Sequence, residues 1–382
     1  MSDDMNLLEL PLDRLMEEIQ YNIEDGEYSP VLILGKSGVG KTEAIYNLTK
    51  KMGIGFCEMR LVTMAETDIM GVPQINEFGA TEFAANSLLP RAERDGEVGI
   101  LVLDEITSAS RTVRAAAYQL LDSKRSIGNY KLPEKWMICC LGNGPDDGGV
   151  FNGIESAVLS RCTCYRVEPD VNAWKKWAVP NGIHPTVLGF ISMRPELIHK
   201  FNPDEMAAVF PCPRSWAALS RKITAREKRK GGMLDGESVE IYAAGAVGAE
   251  VGPQFSQFYS YKKEAIDTMS IIEGVEQQTD ISNYKAETIQ IVIQSLISQV
   301  CKMASGKILE PGVPEYDKCM NVIRWALYVG QQRVDYALQT LQDLCTGCQE
   351  FKEMVVLDYD GDIEKRCPGW QQFIDRTSMI VA

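Results

Sequence analysis

Apolar residues fall along this chain in two rhythms, and the change between them comes near Pro169. Before it, short strand-like runs recur at 31–34, 55–62, 99–105, 136–143 and 162–168, and those at 31–34, 99–105 and 136–143 are almost wholly apolar. Runs without polar alternation belong to strands buried on both faces, as in a parallel sheet. Between them the spacing turns helical. Leu12, Leu15, Met16, Ile19 and Ile23 follow Pro11 and predict a short amphipathic helix over 11–24. A second helix is expected from about Thr42 to Lys51, closed by Gly53, and a short one over 153–161. Over 108–123, Val113, Ala116, Ala117, Leu120 and Leu121 share one stripe. Five strands alternating with helices predict an α/β unit built on a five-stranded parallel sheet.

Beyond Pro169 no such strand recurs. Trp174, Trp177, Val187, Phe190 and Ile191 sit at helical spacings, and prolines 203, 211 and 213 punctuate a helical region ending in "SWAALSRKITAREKRK". The glycines at 231, 232 and 236 read as a linker. Over 287–300, Ile289, Val292, Ile293, Leu296 and Val300 mark one face of an amphipathic helix, and 321–344 reads as another, with 306–317 between them. The expected organisation is an α/β domain over 1–168, a helical domain over 169–262 and a C-terminal helical region, 263–382, of unassigned role. The irregular segment 63–92 is long enough to be a functional insertion.

Composition narrows the classes. The 382 residues are 45% hydrophobic, enough for a sizeable core, and carry 39 basic against 53 acidic side chains, a net charge of −14. An acidic surface is not drawn to phosphate backbones or anionic lipid, so neither nucleic acid nor a membrane is an expected partner. No apolar run approaches the ~20 residues of a membrane span. The opening "MSDDMNLLELPLDRL" has no basic stretch before its apolar residues and is not expected to be a secretory signal. A cytoplasmic protein with eleven reduced cysteines is the expectation. Cys345 and Cys348 form a lone C-x-x-C, read as small apolar residues on a helix, and His184 and His199 read as structural.

The chemistry begins at 35–42. Gly35, Lys36, Ser37, Gly38, Val39, Gly40, Lys41 and Thr42 satisfy every fixed position of G-x-x-x-x-G-K-[ST]. Glycines let the backbone turn its N–H groups onto a polyphosphate, and the helix N-terminus adds its dipole. Lys41 would reach the β and γ phosphates of ATP, and the Thr42 hydroxyl would ligate Mg²⁺. Hydrolysis also needs acids at the end of a neighbouring buried strand. Asp104 would hold the metal shell and Glu105 would polarise the attacking water. Asn143 leaves the next strand in "CCLGNGP" and could orient that water, although Gly-Asn-Gly is also an ordinary turn. Arg161 is either a solvated arginine at a helix C-terminus or an arginine finger for a neighbouring subunit. Arg214, opening a helix after two prolines, is either a surface arginine or a cation reaching the phosphates.

In their order, "GKSGVGKT", "DIMGVPQ", "LVLDE", "GN", "LSR" and "PRSW" resemble the MoxR-type branch of the AAA+ ATPases over about residues 28–262. The resemblance takes in 170–201 as lid helices and 243–258 as the last of them. It implies an AAA+ core followed by an all-α lid. Lys41 and Thr42 become the phosphate and Mg²⁺ residues, Asp104 and Glu105 the second acidic motif, Asn143 sensor 1, Arg161 the finger and Arg214 sensor 2. It implies a homo-oligomeric ring, usually a hexamer, with ATP between subunits. The 63–90 segment and a hairpin over 126–136 would face the pore. Family members often remodel a protein client, and many work with a protein carrying a von Willebrand factor A domain. Arg91, Arg111 and Arg114 are lesser candidates for subunit contacts, and the basic run 221–230 reads as a solvated helix face. Two other classes remain: a P-loop kinase or GTPase acting on a small molecule, and a nucleotide-gated scaffold with little turnover.

Overall fold

The structure is a computed structural model and describes residues 7–84, 86–145, 147, 151–201, 209–358 and 361–377. Pro203 and the first six residues of the acidic start lie outside them. The described residues divide into two compact units, one running to Asp170 and including Phe201, the other holding Val171–Lys200 and the described residues from Val209 on.

The first unit contains strands β1 (Leu8–Leu10), β2 (Val31–Gly35), β3 (Gly55–Arg60), β4 (Val72–Ile75), β5 (Thr81–Ala84), β6 (Val98–Asp104), β7 (Ser126–Ile127), β8 (Tyr130–Lys131), β9 (Lys135–Gly142) and β10 (Thr163–Val167). Its helices are α1 (Leu12–Glu24), α2 (Lys41–Met52), α3 (Glu66–Met70), α4 (Ala92–Asp95), α5 (Arg111–Leu121) and α6 (Ser156–Leu159). Six strands form one parallel sheet in the order β1-β10-β2-β9-β6-β3. All five predicted strands are in it. The sixth, β1, adds an edge of three residues, too short for any periodicity to register.

Side chains alternate across the sheet, so each buried strand feeds two cores. Leu32, Leu34, Leu101, Leu103, Ile138 and Cys140 face the predicted stripe of α5. Val31, Ile33, Ile100, Val102, Met137 and Cys139 face Leu15, Ile19 and Ile23 of α1 and Ile45 and Leu48 of α2. Helices on both faces explain the unbroken apolar runs. Within 63–92 the chain is more regular than expected. It forms α3 and an antiparallel hairpin of β4 and β5, and β7 with β8 makes the hairpin before β9.

The second unit is helical throughout its described residues: α7 (Val171–Ala178), α8 (Pro185–Met193), α9 (Pro213–Lys230), α10 (Gly236–Val247), α11 (Val251–Ser260), α12 (Thr268–Ile272), α13 (Ala286–Ala304), α14 (Pro314–Gln332), α15 (Val334–Gly347), α16 (Gln349–Leu357), α17 (Asp362–Arg366) and α18 (Trp370–Thr377). One core runs from Trp174 to Phe373, so the boundary expected between 262 and 263 falls inside this unit. Helix α13 is its axle. Thr288, Gln290, Ile291, Gln294 and Ile297 are buried along with the expected apolar stripe, so the helix is enclosed rather than amphipathic. Gln290 and Gln339 exchange side-chain hydrogen bonds, and Gln294 Nε2 donates to Asp343, while Gln294 Oε1 and Thr288 Oγ1 stay buried without a partner among the described residues.

Three local readings change. The 321–344 helix breaks at Arg333, which adopts an extended conformation between α14 and α15. The single helix expected over 243–258 turns at Gly248, whose φ of 94° is left-handed, and doubles back as α11 against α10. The glycines at 231–236 join two packed helices rather than two domains, with Gly231 capping α9. Among the described residues no helix is long and apolar enough to cross a membrane.

Candidate nucleotide site

Parallel register brings three strand ends side by side. Leu34 of β2 lies opposite Gly142 of β9, and Cys140 of β9 opposite Leu103 of β6. The loop after β2, Asn143 after β9 and Asp104 at the end of β6 therefore meet along one edge, as ligands do at the carboxyl ends of open α/β sheets.

The loop of residues 36–40 ends in Gly40, whose φ is 99°, and opens directly into α2. Gly38 is also left-handed at φ 81°. A Cβ at Gly40 would meet no atom within 4 Å, so the backbone there is open to a close-approaching group. Gly35 has a different reason. A Cβ there would sit 2.4 Å from the Val167 carbonyl oxygen, so the sheet itself requires glycine at the start of the motif. Lys41 Nζ donates to the carbonyls of Gly35 at 2.6 Å and Lys36 at 3.2 Å, which folds its amine over the loop.

Opposite the loop, the Thr42 hydroxyl donates to Asp104 Oδ2 at 3.1 Å. Asp104 Oδ1 accepts the Glu105 N–H at 2.8 Å, and the Glu105 carbonyl accepts the N–H groups of Ser108 and Ala109 at 3.0 and 3.1 Å. Glu105 has a φ of 57°, left-handed for a residue with a full side chain. Such conformations persist where neighbours over-determine them, and they gather at functional sites.

Asn143 is positioned through its backbone. Its N–H donates to Thr107 Oγ1 at 3.0 Å, and Thr107 is fully buried. A Cβ on Gly142 would lie 2.5 Å from the Thr107 methyl, so that glycine is fixed by the same contact. Thr107 escaped the sequence reading. The only signal was its place just past the two acids. Asp147, Arg166 and Glu168, which surround the Asn143 turn and the loop, were missed as well.

The remaining candidates separate. Arg161 is exposed, its guanidinium on Asp122 and, at 2.6 Å, on the Ala157 carbonyl. Arg214 is the exposed second residue of α9, in the second unit. Arg114 is corrected from a subunit-contact candidate to a buried structural group, 4% exposed. It donates to the Ala109 carbonyl at 3.0 Å and pairs with Glu155 at 3.1 Å. Cys345 and Cys348 are buried free thiols, and no group of three metal-capable side chains occurs among the described residues.

The assembled groups suit a nucleoside triphosphate with Mg²⁺. A hydroxyl and a carboxylate, hard oxygen donors already in contact, are what Mg²⁺ takes from protein, and the open glycine backbone and Lys41 suit polyphosphate. Residues 30–162 match the family described as AAA domain (dynein-related subfamily). No curated protein matches the chain. Among solved structures, a proposed ATPase from Cytophaga hutchinsonii aligns at 14% identity over 70% of this chain and 89% of its own, with a TM-score of 0.31. The Thermotoga maritima RuvB Holliday junction branch migration motor aligns at 13% identity over 76% and 87%, with a TM-score of 0.36. A proline-to-glycine mutant of that motor aligns at 14% over the same shares, also at 0.36. Scores this low decide nothing by themselves. The segment 30–162 is thus similar to an AAA domain, and it lies on a parallel sheet whose strand ends gather the phosphate loop, Asp104 and Asn143.

Proposed function

We propose that the chain is a MoxR-type AAA+ ATPase that hydrolyses ATP with Mg²⁺ in a cytoplasmic ring, hexameric as its resemblance implies, and remodels a protein partner. The observation that carries the catalytic part is the Thr42–Asp104 hydrogen bond of 3.1 Å, with Glu105 next in the chain. Bound Mg²⁺ would neutralise charge building on the β and γ phosphate oxygens. Around it, the loop N–H groups and Lys41 bind the phosphates, Thr42 and Asp104 hold the metal, Glu105 takes the proton from the attacking water and Asn143 orients it.

The ring and the client rest on other features. Arg161 is exposed and would exchange Asp122 for a neighbour's γ-phosphate, acting as the finger. In the same reading Arg214 senses the nucleotide from the lid. The β4–β5 hairpin presents Val72, Ile75 and Phe78, the last 85% exposed, which suits contact with a protein client better than contact with nucleic acid. That client, in this reading, carries a von Willebrand factor A domain.

Phosphate release and calorimetry test the reading together. Wild-type protein is expected to turn over ATP, Lys41→Ala to lose nucleotide binding, and Glu105→Gln to bind ATP without turnover. Arg161→Ala is expected to bind but not hydrolyse, and to regain turnover when mixed with Glu105→Gln subunits. Wild-type turnover by a strict monomer, or an Arg161→Ala protein at full rate, would remove the ring.

A further inference from the structure

Behind Asn143 runs a line of charge that the roles above leave unused. The Asp147 carboxylate is completely buried. One oxygen accepts the Gly144 N–H at 2.5 Å, and the other receives Arg166 Nη2 at 2.6 Å. A carboxylate buried this far is costly unless paired and hydrogen-bonded, so Arg166 is what allows Asp147 to stand there. Arg166 lies on β10, opposite Leu34 of β2. Its Nε donates to Glu168 Oε1 at 2.8 Å, and Glu168 Oε2 accepts Lys36 Nζ at 2.8 Å. Lys36 belongs to the phosphate loop, and its carbonyl accepts Lys41 Nζ at 3.2 Å.

Two further facts show that the line is built rather than incidental. A Cβ on Gly144 would fall 2.6 Å from Arg166 Nη1 and 2.9 Å from Asp147 Oδ2, so glycine at 144 makes room for the pair. Burial pushes the Glu168 carboxyl up, yet hydrogen bonds from Lys36 and Arg166 outweigh it and hold the group ionised below its ordinary range. The Arg166 guanidinium thus stands between the Asn143 turn and the phosphate loop.

We propose that Arg166 is a positioning residue for hydrolysis: through Asp147 it clamps the Asn143 turn, and through Glu168 and Lys36 it ties that turn to the phosphate loop. The clamp rests on the ATPase reading above. It predicts a loss in the rate step rather than in binding, because the loop N–H groups and Lys41 stay in place while the turn after Asn143 loses the paired Asp147 that holds Gly144.

The test is steady-state phosphate release beside titration with a fluorescent ATP analogue, on the full chain. Arg166→Met is expected to lower kcat roughly ten- to a hundredfold, the scale of a small misplacement of a catalytic group, with nucleotide affinity within about twofold of wild type. Arg166→Lys, which keeps the Asp147 pair but loses the fork, should recover part of the rate. Should Arg166→Met not fold, Glu168→Gln breaks the same line at a half-exposed site and is expected to show the same split. Unchanged kcat in these variants, an equal loss of affinity, or no rescue by lysine overturns the clamp while leaving the ATPase standing. Wild-type protein that binds ATP and never releases phosphate overturns both.

Discussion

Glu105 offers a prediction in which two substitutions that cost the same activity differ in stability. Its φ of 57° places a side-chain-bearing residue in the left-handed region, where contact of Cβ with the following carbonyl costs about 1–2 kcal/mol. Glu105→Ala and Glu105→Gly both remove the carboxylate that would activate water. Only the glycine variant also removes Cβ and with it the strain. Against this gain, glycine's extra freedom in the unfolded chain costs about 0.4–1 kcal/mol. The difference leaves Glu105→Gly more stable than Glu105→Ala by roughly 0.8 kcal/mol, or about 2 °C in melting temperature for a unit of this size. Both variants should lose roughly a hundredfold or more in turnover. Calorimetric melts of the two proteins, beside phosphate release, check the argument. A glycine variant that melts at or below the alanine variant refutes the strain, and an alanine variant with wild-type turnover refutes the role of Glu105.

Two other outcomes follow from buried charge. Replacing Arg114 by Leu strips Glu155 of its cation, takes from the Asn152 carbonyl its guanidinium donor and leaves the Ala109 carbonyl only the Asn152 amide. Glu155 keeps the Tyr118 hydroxyl and some solvent, so the expected loss is about 2–3 kcal/mol, read as a lowered melting midpoint; an unchanged midpoint would return Arg114 to the surface. The second outcome concerns pH. Burial lowers His184 below its ordinary value against the pull of Glu227, and Lys262 adds to the lowering. Burial raises Glu227, but hydrogen bonds from His184, Lys262 and Tyr259 hold it well below the usual carboxylate range. Both folded values lie under the unfolded ones. The unfolded chain therefore gains protons first, and stability falls on acidification from about pH 6.5 for His184 and further below about 4.5 for Glu227. His184→Gln should flatten the dependence of melting temperature on pH between 7 and 5, and an equal slope in the variant would count against the assignment.

What could be read in advance divides along physical lines. The phosphate loop, the Asp104–Glu105 pair and Asn143 were legible because strand ends and backbone turns impose fixed local spacings on them. The stripe of α5 was legible because helical periodicity survives in a few turns. The charge line through Asp147, Arg166 and Glu168 was not, because its partners meet only when β10 is laid beside β2. Arg114 was misread for the same reason. Charge alone suggests a surface, and only packing reveals that Glu155 and two carbonyls await it. Helix α13 reads as amphipathic because Gln290 and Gln294 look solvated until Gln339 and Asp343 are brought to them.

The order of strands in the sheet has a consequence for how this protein is made. Val31 pairs with Cys139 and Leu8 with Tyr165, partners separated by most of the length of the first unit. While the chain emerges from the ribosome, β2 and β6 cannot close on each other, because the strand that belongs between them has yet to be synthesised. Their apolar edges stay unpaired through that interval, and non-local parallel pairing of this kind is slow. The strand that leads into Asn143 is thus also the wedge that joins β2 to β6, so a newborn chain closes the middle of its sheet and brings Asn143 beside the phosphate loop at the same moment.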